Sequence, residues 1–258
     1  DDGWQIIGEG SGPGVSHLEA AGGAERFRQA VLTSLKSASE GEGERKLDAA
    51  VIGASGIEQG SALQPKATAL LADALSLPED RVLATGDERT ALRGAFPDGD
   101  GIILISGTGM ICLGRDHQGK EHRCGGWGWM LDGAGSAFDL GHQGLQLTLQ
   151  MADGRRPDHP LRQRMWEQLG CRGHADVKAW VVQPSRTAAD LAALAPLLVA
   201  AADAGLPAAQ DILQRSAAAL VSCAATVAQE LALPQPAVAG LGGVPVSYTH
   251  LRAHETLP

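Results

Sequence analysis

The feature that most constrains this chain is a glycine-rich segment from Gly101 to Gly144, which holds 12 of the 34 glycines in 44 residues. It opens with an apolar, β-branched run at residues 101–105, which predicts a buried strand. The sequence Gly107-Thr108-Gly109 follows, and a second apolar segment occupies residues 110–113. Two strands joined by so short a glycine turn predict a tight hairpin.

This hairpin offers the donors that a phosphate group needs. Glycines 107 and 109 leave the main-chain N–H groups accessible, and Thr108 adds a hydroxyl. The alternative is an ordinary turn without a ligand. A second run favours a ligand, because two of the five tryptophans lie beside bare backbone in Cys124-Gly125-Gly126-Trp127-Gly128-Trp129. Packing of tryptophan against glycine remains the competing interpretation of that run.

Composition limits the partners of the chain. Its 258 residues are 44% apolar, enough for one large domain or two small ones with a buried core. The formal charge of −9 argues against nucleic acid as a partner, because a phosphate backbone needs a basic face. The longest apolar run, residues 191–202, is too short to span a membrane. Four widely spaced cysteines favour a reducing, cytoplasmic location. The charge leaves nucleotide binding open, because a nucleotide is bound by local backbone donors and Mg²⁺.

Strand and helix patterns alternate in the first half of the chain, which predicts an α/β fold with a mixed sheet. The predicted strands are residues 4–9, 47–52, 81–84, 101–105, 110–113 and 237–244. The predicted helices are residues 25–37, 65–77, 87–96, 136–151, 160–169, 175–182, 188–204 and 207–233, with Pro196 dividing the seventh.

Asp87 is the candidate catalytic acid. It lies between the end of a predicted strand and the start of a predicted helix, upstream of the hairpin. A carboxylate there can act as a general base that takes a proton from a substrate hydroxyl during phosphoryl transfer. The alternative is an N-cap, in which the carboxylate accepts hydrogen bonds from the first N–H groups of the helix.

Four residues form an H-x-C pair and a C-x-x-H pair that are candidates for a metal site: His122, Cys124, Cys171 and His174. Their composition could suit zinc, but the long separation between the pairs matches no zinc signature. Ordinary core and surface positions explain them better, and we predict no metal ligand among them.

Three segments together resemble a known family: residues 105–109, 124–128 and 135–138. They are similar to N-acetylglucosamine kinases and the wider BadF/BadG ATPase-like group, in the superfamily of actin, sugar kinases and chaperone ATPases. The resemblance runs from about Gly8 to Val244. It implies two RNase H-like, actin-like ATPase domains that close over ATP–Mg²⁺ and a sugar. Residues 1–100 would be a partial N-terminal domain, and residues 101–244 a C-terminal domain with a helical insertion.

The same resemblance implies roles for individual residues. Asp87 matches the catalytic base on the reactive sugar hydroxyl. The phosphates and adenosine of ATP would be contacted by Gly107, Thr108, Gly109, Gly242 and Gly243. The amino sugar would be contacted by Ser16, Gly125, Gly126, Trp127, Asp132 and Gly133. ATP and Mg²⁺ are the implied cofactors, and the family is often dimeric, so a homodimer is a further implied arrangement.

The chain departs from the family pattern in several places. The first phosphate hairpin and its Mg²⁺-linked Asp would lie just before Asp1, and the last helix of the C-terminal domain is also missing. The family's G-D-E-G-S reads Asp132-Gly-Ala-Gly-Ser136 here, so the sugar-binding Asp aligns with Gly133. Either Asp132 substitutes for it or the substrate differs. Residues 246–256 resemble a translated sequencing adapter, and residues 245–258 are predicted to be an artefactual tail.

The resemblance favours ATP-dependent phosphorylation of N-acetylglucosamine or glucosamine at the primary hydroxyl. One alternative is an ATPase that activates a partner enzyme, as in activators of acyl-CoA dehydratases or reductases. Those activators place cysteines around an iron–sulfur cluster at a dimer interface, and the four cysteines here lack such close pairing. Another alternative is an inactive fragment of the kinase, because loss of the first hairpin is expected to weaken ATP binding.

Overall fold

The chain folds into two compact units. A computed structural model describes residues 5–15, 17–39 and 46–244. Its two units are Asp1–Gly94 and Ala95–Pro258, so the division falls just before the predicted boundary at residue 100. The predicted adapter-like tail, residues 245–258, lies outside the described residues. The mixed α/β class predicted from the sequence is confirmed, whereas the RNase H-like nature of each unit stays a prediction.

The first unit contains a two-stranded parallel sheet, β1 (Ala50–Gly53) and β2 (Val82–Thr85). Its helices are α1 (Gly23–Ala38), α2 (Leu63–Leu75) and α3 (Asp87–Ala95), and a 3₁₀ turn at Glu79–Arg81 precedes β2. The core combines residues of α1, α2 and the strands, including Phe27, Leu71 and Ala84. Burial of these side chains is what holds the short sheet against its helices.

The strand predicted at residues 4–9 is wrong for its described part. Residues 5–15 have no regular secondary structure. Three glycines of this segment, Gly8, Gly10 and Gly12, lie so close to α1 that a Cβ would overlap its backbone or the Ser34 hydroxyl. The segment therefore packs on a helix by means of its glycines, and apolar alternation alone does not reveal that arrangement.

The second unit contains a four-stranded mixed sheet. Its strands are β3 (Gly101–Ser106), β4 (Met110–Arg115), β5 (Glu121–Cys124) and β6 (Val238–Leu241), in the order β5-β4-β3-β6. Strands β3 and β4 form the predicted antiparallel hairpin, and β6 pairs with β3 in parallel. Strand β5 was not predicted, because four residues with a mainly charged and polar sequence carry little strand signal.

The helices of this unit form a second core, and the last of them packs on the sheet. They are α4 (Ala137–Ala152), α5 (Pro160–Gln168), α6 (His174–Val181), α7 (Ala188–Ala192), α8 (Ala195–Asp203) and α9 (Pro207–Glu230). The predicted division of residues 188–204 near Pro196 is confirmed, because α7 ends just before that proline. Val227 of α9 and Leu231 just beyond it pack on Ile102 and Cys112 of the sheet.

One observation bears on membranes. Within the described ranges, no single helix is both long and apolar enough to cross a bilayer. Ala188–Asp203 and Pro207–Glu230 reach the required length and composition only as a pair, which is bent by 118°.

Candidate functional site

The tip of the β3–β4 hairpin is held by the start of α4. Ala137 N–H donates to the Gly107 carbonyl at 2.8 Å, and Phe138 N–H donates to the Thr108 carbonyl at 3.4 Å. A trans peptide unit points its N–H opposite to its C=O. Because α4 binds these two carbonyls, the N–H groups of Thr108 and Gly109 point away from α4.

These oriented donors form no hydrogen bond within the described part of the protein. In residues 5–15, 17–39 and 46–244, neither the N–H groups of Thr108 and Gly109 nor the Thr108 hydroxyl has a hydrogen-bond partner. Both residues are exposed. The Gly107 N–H, by contrast, closes the turn on the Gly109 carbonyl at 2.9 Å. The tip therefore presents three unpaired donors near the positive end of a helix, which suits an anion such as phosphate.

A buried serine fixes the base of the same hairpin. The Ser106 hydroxyl donates to the Gly135 carbonyl at 2.7 Å. Ser136 then caps α4, since its hydroxyl accepts from the Asp139 N–H at 3.2 Å. Both serines are fully buried, so water does not compete for these hydrogen bonds. The bonds hold the hairpin and the start of α4 together rigidly.

The Gly125-Gly126 turn follows β5 directly. Both residues are left-handed, with φ of 77° and 76°. A Cβ on Gly125 would lie 2.7 Å from Met110 Sδ, and one on Gly126 would lie 2.9 Å from Ile111 Cδ1. Only glycine meets both requirements here, the positive φ and the close approach to β4.

Arg123 holds this turn, although it is not among the site residues predicted from the sequence. Its Nε donates to the Gly125 carbonyl at 3.1 Å and its Nη2 donates to the Gly126 carbonyl at 2.6 Å. The guanidinium carbon also lies 4.7 Å from the ring centroid of Trp127, which is 63% exposed. The available signal was an arginine two residues before a Gly-Gly pair. The role of this arginine depends on both glycine carbonyls pointing toward its guanidinium group.

Asp132 lies beside the Gly-Gly turn, as its predicted role requires. Its Oδ2 is 3.3 Å from the position that a Cβ on Gly125 would occupy. The carboxylate is half-buried, and no side-chain hydrogen bond to it is found in the described part of the chain. Gly133 instead packs against Trp129 and Phe138. Of these two neighbours, Asp132 is thus the one with a free acceptor at the turn.

The end of β6 meets the base of the hairpin. Gly242 is left-handed, with φ of 94°, and a Cβ there would overlap the Ser106 carbonyl. Gly243 has open space around its Cα. Strands β3 and β6 are parallel, so Gly107 and Gly242 lie at the carboxyl ends of adjacent parallel strands. Ligands of open α/β sheets bind at such ends.

Three of the four cysteines lie together in the fold, despite their spacing in the sequence. Cys112 faces Cys124 across β4 and β5, and Cys223 of α9 packs in the same cluster. Burial raises the pKa of Cys223 to about 12, with further contributions from Cys124 and the Asp132 charge. Burial likewise raises the pKa of Cys112. Protonated thiols are poor metal ligands. No metal-binding group of His, Cys, Asp or Glu occurs among the residues with described positions.

Asp87 is the first residue of α3 rather than its N-cap. Gly86 occupies the cap position, because its carbonyl accepts from the Arg89 N–H at 3.2 Å. The Asp87 side chain is exposed, and within the described ranges it forms no hydrogen bond or ion pair. The neighbouring Glu88 is only 7% exposed and pairs with Arg89 at 3.0 Å. The capping interpretation of Asp87 is therefore wrong, and its carboxylate remains available.

The surroundings of Asp87 form one edge of the first sheet. A Cβ on Gly53, the last residue of β1, would lie 3.0 Å from the Asp87 Cα. Three residues later Gly56 approaches the His17 ring, whose Cδ2 would be 3.1 Å from a Cβ there. The Thr85 hydroxyl at the end of β2 is buried without a partner in the part of the chain with assigned positions. Ser16, the predicted sugar contact next to His17, lies outside the described residues.

The sequence matches the family model of the BadF/BadG/BcrA/BcrD ATPase family over residues 6–256. The chain is 29% identical over 153 residues to the N-acetylmuramic acid/N-acetylglucosamine kinase of Clostridium acetobutylicum, covering 59% of this chain and 50% of that protein. It is 32% identical over 134 residues to the N-acetyl-D-glucosamine kinase of Dictyostelium discoideum, covering 52% and 42% respectively. The chain thus spans about half the length of the curated relatives it matches.

Solved structures share the fold. A Chromobacterium violaceum protein provisionally named an N-acetylglucosamine kinase superposes with a TM-score of 0.76 at 27% identity, over 98% of this chain and 83% of that one. A Porphyromonas gingivalis protein with the same provisional name gives 0.68 at 21% identity, over 88% and 74%. A ROK family glucokinase from Streptomyces griseus, solved with glucose and AMPPNP, gives 0.51 at 17% identity, over 88% and 75%. Since the family model covers nearly the whole sequence, the chain belongs to the BadF/BadG/BcrA/BcrD ATPase family.

Proposed function

We propose that this chain belongs to an ATP-dependent sugar kinase that phosphorylates an amino sugar, N-acetylglucosamine or glucosamine, at its primary hydroxyl. The observation that carries the proposal is the hairpin tip at residues 107–109, where two unpaired N–H groups point away from α4 and the Thr108 hydroxyl adds a third unpaired donor. The kinase names of the relatives in Clostridium acetobutylicum and Dictyostelium discoideum support the same reaction class.

In this proposal the hairpin binds the phosphates of ATP. The N–H groups of Thr108 and Gly109 and the Thr108 hydroxyl donate to phosphate oxygens, while α4 keeps the turn from rotating. Electrostatic stabilisation of this kind needs donors that are already oriented before the charge develops. Gly242 and Gly243, at the end of the neighbouring strand, contact the adenosine. Their lack of side chains allows a ligand to approach the backbone closely.

The amino sugar contacts the Gly125-Gly126-Trp127 turn in this proposal. No acceptor in the described chain pairs with the N–H groups of Gly126 and Trp127. These two groups can donate to an acyl carbonyl on the sugar nitrogen. Asp132 supplies a carboxylate beside the same turn, which can accept a hydrogen bond from a sugar hydroxyl.

Asp87 acts as the general base. Its exposed carboxylate takes the proton of the primary hydroxyl while that oxygen forms a bond to the γ-phosphorus and the bond to the β–γ bridging oxygen breaks, releasing ADP. Mg²⁺, when bound with ATP, neutralises charge on the transferred phosphoryl group. No magnesium ligand is proposed among the described residues.

The test is coupled ADP release with a panel of hexoses and hexosamines. It uses the 258-residue chain and a version extended by the upstream reading frame. Asp87→Asn should reduce kcat by at least about a hundredfold, the usual contribution of a positioned base. Asp48→Asn is the matched control, because Asp48 is an exposed carboxylate just before the amino end of β1. Turnover that survives in Asp87→Asn removes Asp87 as the base, and no sugar-dependent ADP release in either version removes the kinase proposal.

A second candidate function is an ATPase that activates a partner enzyme. The match to the BadF/BadG/BcrA/BcrD ATPase family supports this candidate. The clustered Cys112, Cys124 and Cys223 are the feature to test, although burial raises the pKa of Cys112 and Cys223, and protonated thiols suit an iron–sulfur cluster poorly. ADP release without any sugar, together with iron in the purified protein, would support this candidate over the kinase.

A further inference from the structure

We propose that Arg123 is a positioning residue that makes the site select N-acylated amino sugars over free amines. The inference rests on the proposed function, because it deepens the sugar contact assigned there to the Gly125-Gly126-Trp127 turn. The feature behind it is the two-point contact from one guanidinium to two successive carbonyls of that turn.

The first step concerns the direction of two peptide units. Arg123 binds the carbonyl of Gly125 and the carbonyl of Gly126. In a planar trans peptide the N–H of the following residue points the opposite way. The N–H groups of Gly126 and Trp127 therefore point together, away from Arg123, and neither has a partner in the described chain.

The Gly125-Gly126 turn needs this contact to keep its peptide units from rotating. Two successive glycines can rotate their shared peptide unit at little cost, because neither carries a Cβ. Rotation would replace an N–H donor at the ligand side with a carbonyl. Arg123 opposes it from a fixed base, since β5 pairs with β4 with Arg123 opposite Leu113, and its guanidinium stacks on Trp127. A planar fork can bind two carbonyls at once, whereas a lysine ammonium acts as a single point charge.

The third step is chemical selectivity. Two parallel N–H groups match an acceptor, such as the carbonyl oxygen of an N-acyl group. A free sugar amine is protonated near neutral pH, so it has donors only and would leave both N–H groups unpaired. Sites built to form hydrogen bonds disfavour analogues that lack the matching group, because the donors of the site then lose their partners. Arg123 thus sets substrate preference through the backbone without touching the sugar.

The experiment compares Arg123→Lys and Arg123→Met with the unaltered chain, using N-acetylglucosamine and glucosamine. Calorimetry gives Kd for each sugar, and coupled ADP release gives KM and kcat. We expect Kd and KM for N-acetylglucosamine to rise about tenfold in both variants, the scale of weakened neutral hydrogen bonds. Values for glucosamine should change less than twofold, and kcat should change little. The lysine variant should not rescue selectivity.

Arg186 provides the matched control. Its guanidinium carbon lies 4.1 Å from the Trp180 ring centroid, and its Nε donates to the Trp180 carbonyl at 3.3 Å. Arg186→Met removes the same kind of contact in the helical part of the unit and should leave both sugars unaffected. Thermal unfolding of each variant checks that it folds, and Arg123→Lys carries the test if the methionine variant does not.

The outcomes separate the two proposals. Arginine-dependent selectivity in binding without phosphoryl transfer would support the role of Arg123 and reject the kinase. Equal loss for both sugars, retained selectivity in Arg123→Lys, or no tighter binding of N-acetylglucosamine than glucosamine by the unaltered chain would each overturn the role of Arg123.

Discussion

Replacing Gly126 with alanine tests whether the Gly-Gly turn is built as described. At the Gly126 φ of 76°, an alanine would have to adopt the left-handed backbone conformation, which lowers the free energy of unfolding by about 1–2 kcal/mol. Its Cβ would also lie 2.9 Å from Ile111 Cδ1, and overpacking of that kind costs typically about 1–3 kcal/mol. Because the Ile111 side chain can yield in part, we expect Gly126→Ala to destabilise the second unit by roughly 2–4 kcal/mol.

Gly128→Ala is the control that separates the two costs. Gly128 has φ of 93°, but a Cβ there would meet nothing within 4 Å. Only backbone strain applies, so we expect a loss of about 1–2 kcal/mol. The difference between the two variants then measures crowding against Ile111. Sugar affinity should fall in Gly126→Ala, because the displaced turn no longer aligns the N–H groups of Gly126 and Trp127.

Urea unfolding followed by tryptophan fluorescence measures both variants. Four of the five tryptophans lie in the unit Ala95–Pro258, so the signal reports mainly on that unit. With an m-value of about 1–3 kcal/mol/M, Gly126→Ala should lower the unfolding midpoint by on the order of 1 M. Equal midpoints for Gly126→Ala and Gly128→Ala would refute the close approach to Ile111, and an unchanged midpoint in both would refute the left-handed turn.

Three further predictions concern the second unit. Thr148→Val should lower the free energy of unfolding in urea by about 1–3 kcal/mol. The reason is that the variant lacks the hydroxyl that accepts from the buried Trp166 indole N–H at 2.9 Å. Thr148→Ser keeps that hydroxyl and should retain most of the stability. Gly141→Ala should lower Tm, because the new Cβ would overlap the Leu191 carbonyl. This crowding should outweigh the helix preference of alanine over glycine, which is about 1 kcal/mol. A raised Tm would contradict the packing of Gly141 on Leu191. The raised pKa of Cys223, about 12 against an ordinary 9.0, means that its stabilising protonated form persists below pH 9 and is lost as pH rises toward 12. The free energy of unfolding should therefore fall more steeply over that window in the unaltered chain than in Cys223→Ala, and parallel curves would reject this.

Local signals in the sequence predicted the hairpin at the candidate site. The β-branched run before Gly107 and the apolar run after Gly109 predicted the hairpin, because strands of a buried sheet are read directly from such runs. The same reasoning failed for residues 5–9 and for β5. In the first case the glycines pack on a helix, and in the second an edge strand of four residues is specified by pairing with β4. Neither partner is visible from the local sequence.

Two features of the fold were not predictable from spacing. The clustering of Cys223 with Cys112 and Cys124 depends on how α9 crosses the sheet. The freedom of the Asp87 carboxylate depends on Gly86 taking the cap position, which shifts the helix start by one residue relative to the capping interpretation.

By itself, then, the sequence determined the mixed α/β class, the hairpin and the family, because glycine runs and apolar periodicity act locally. Only the tertiary structure decided which way the peptide units of the two glycine turns face. At residues 107–109 the start of α4 binds the carbonyls, and at residues 125–126 Arg123 binds them. Glycine permits both orientations of a peptide unit, so the partner that binds each carbonyl fixes where the N–H donors point.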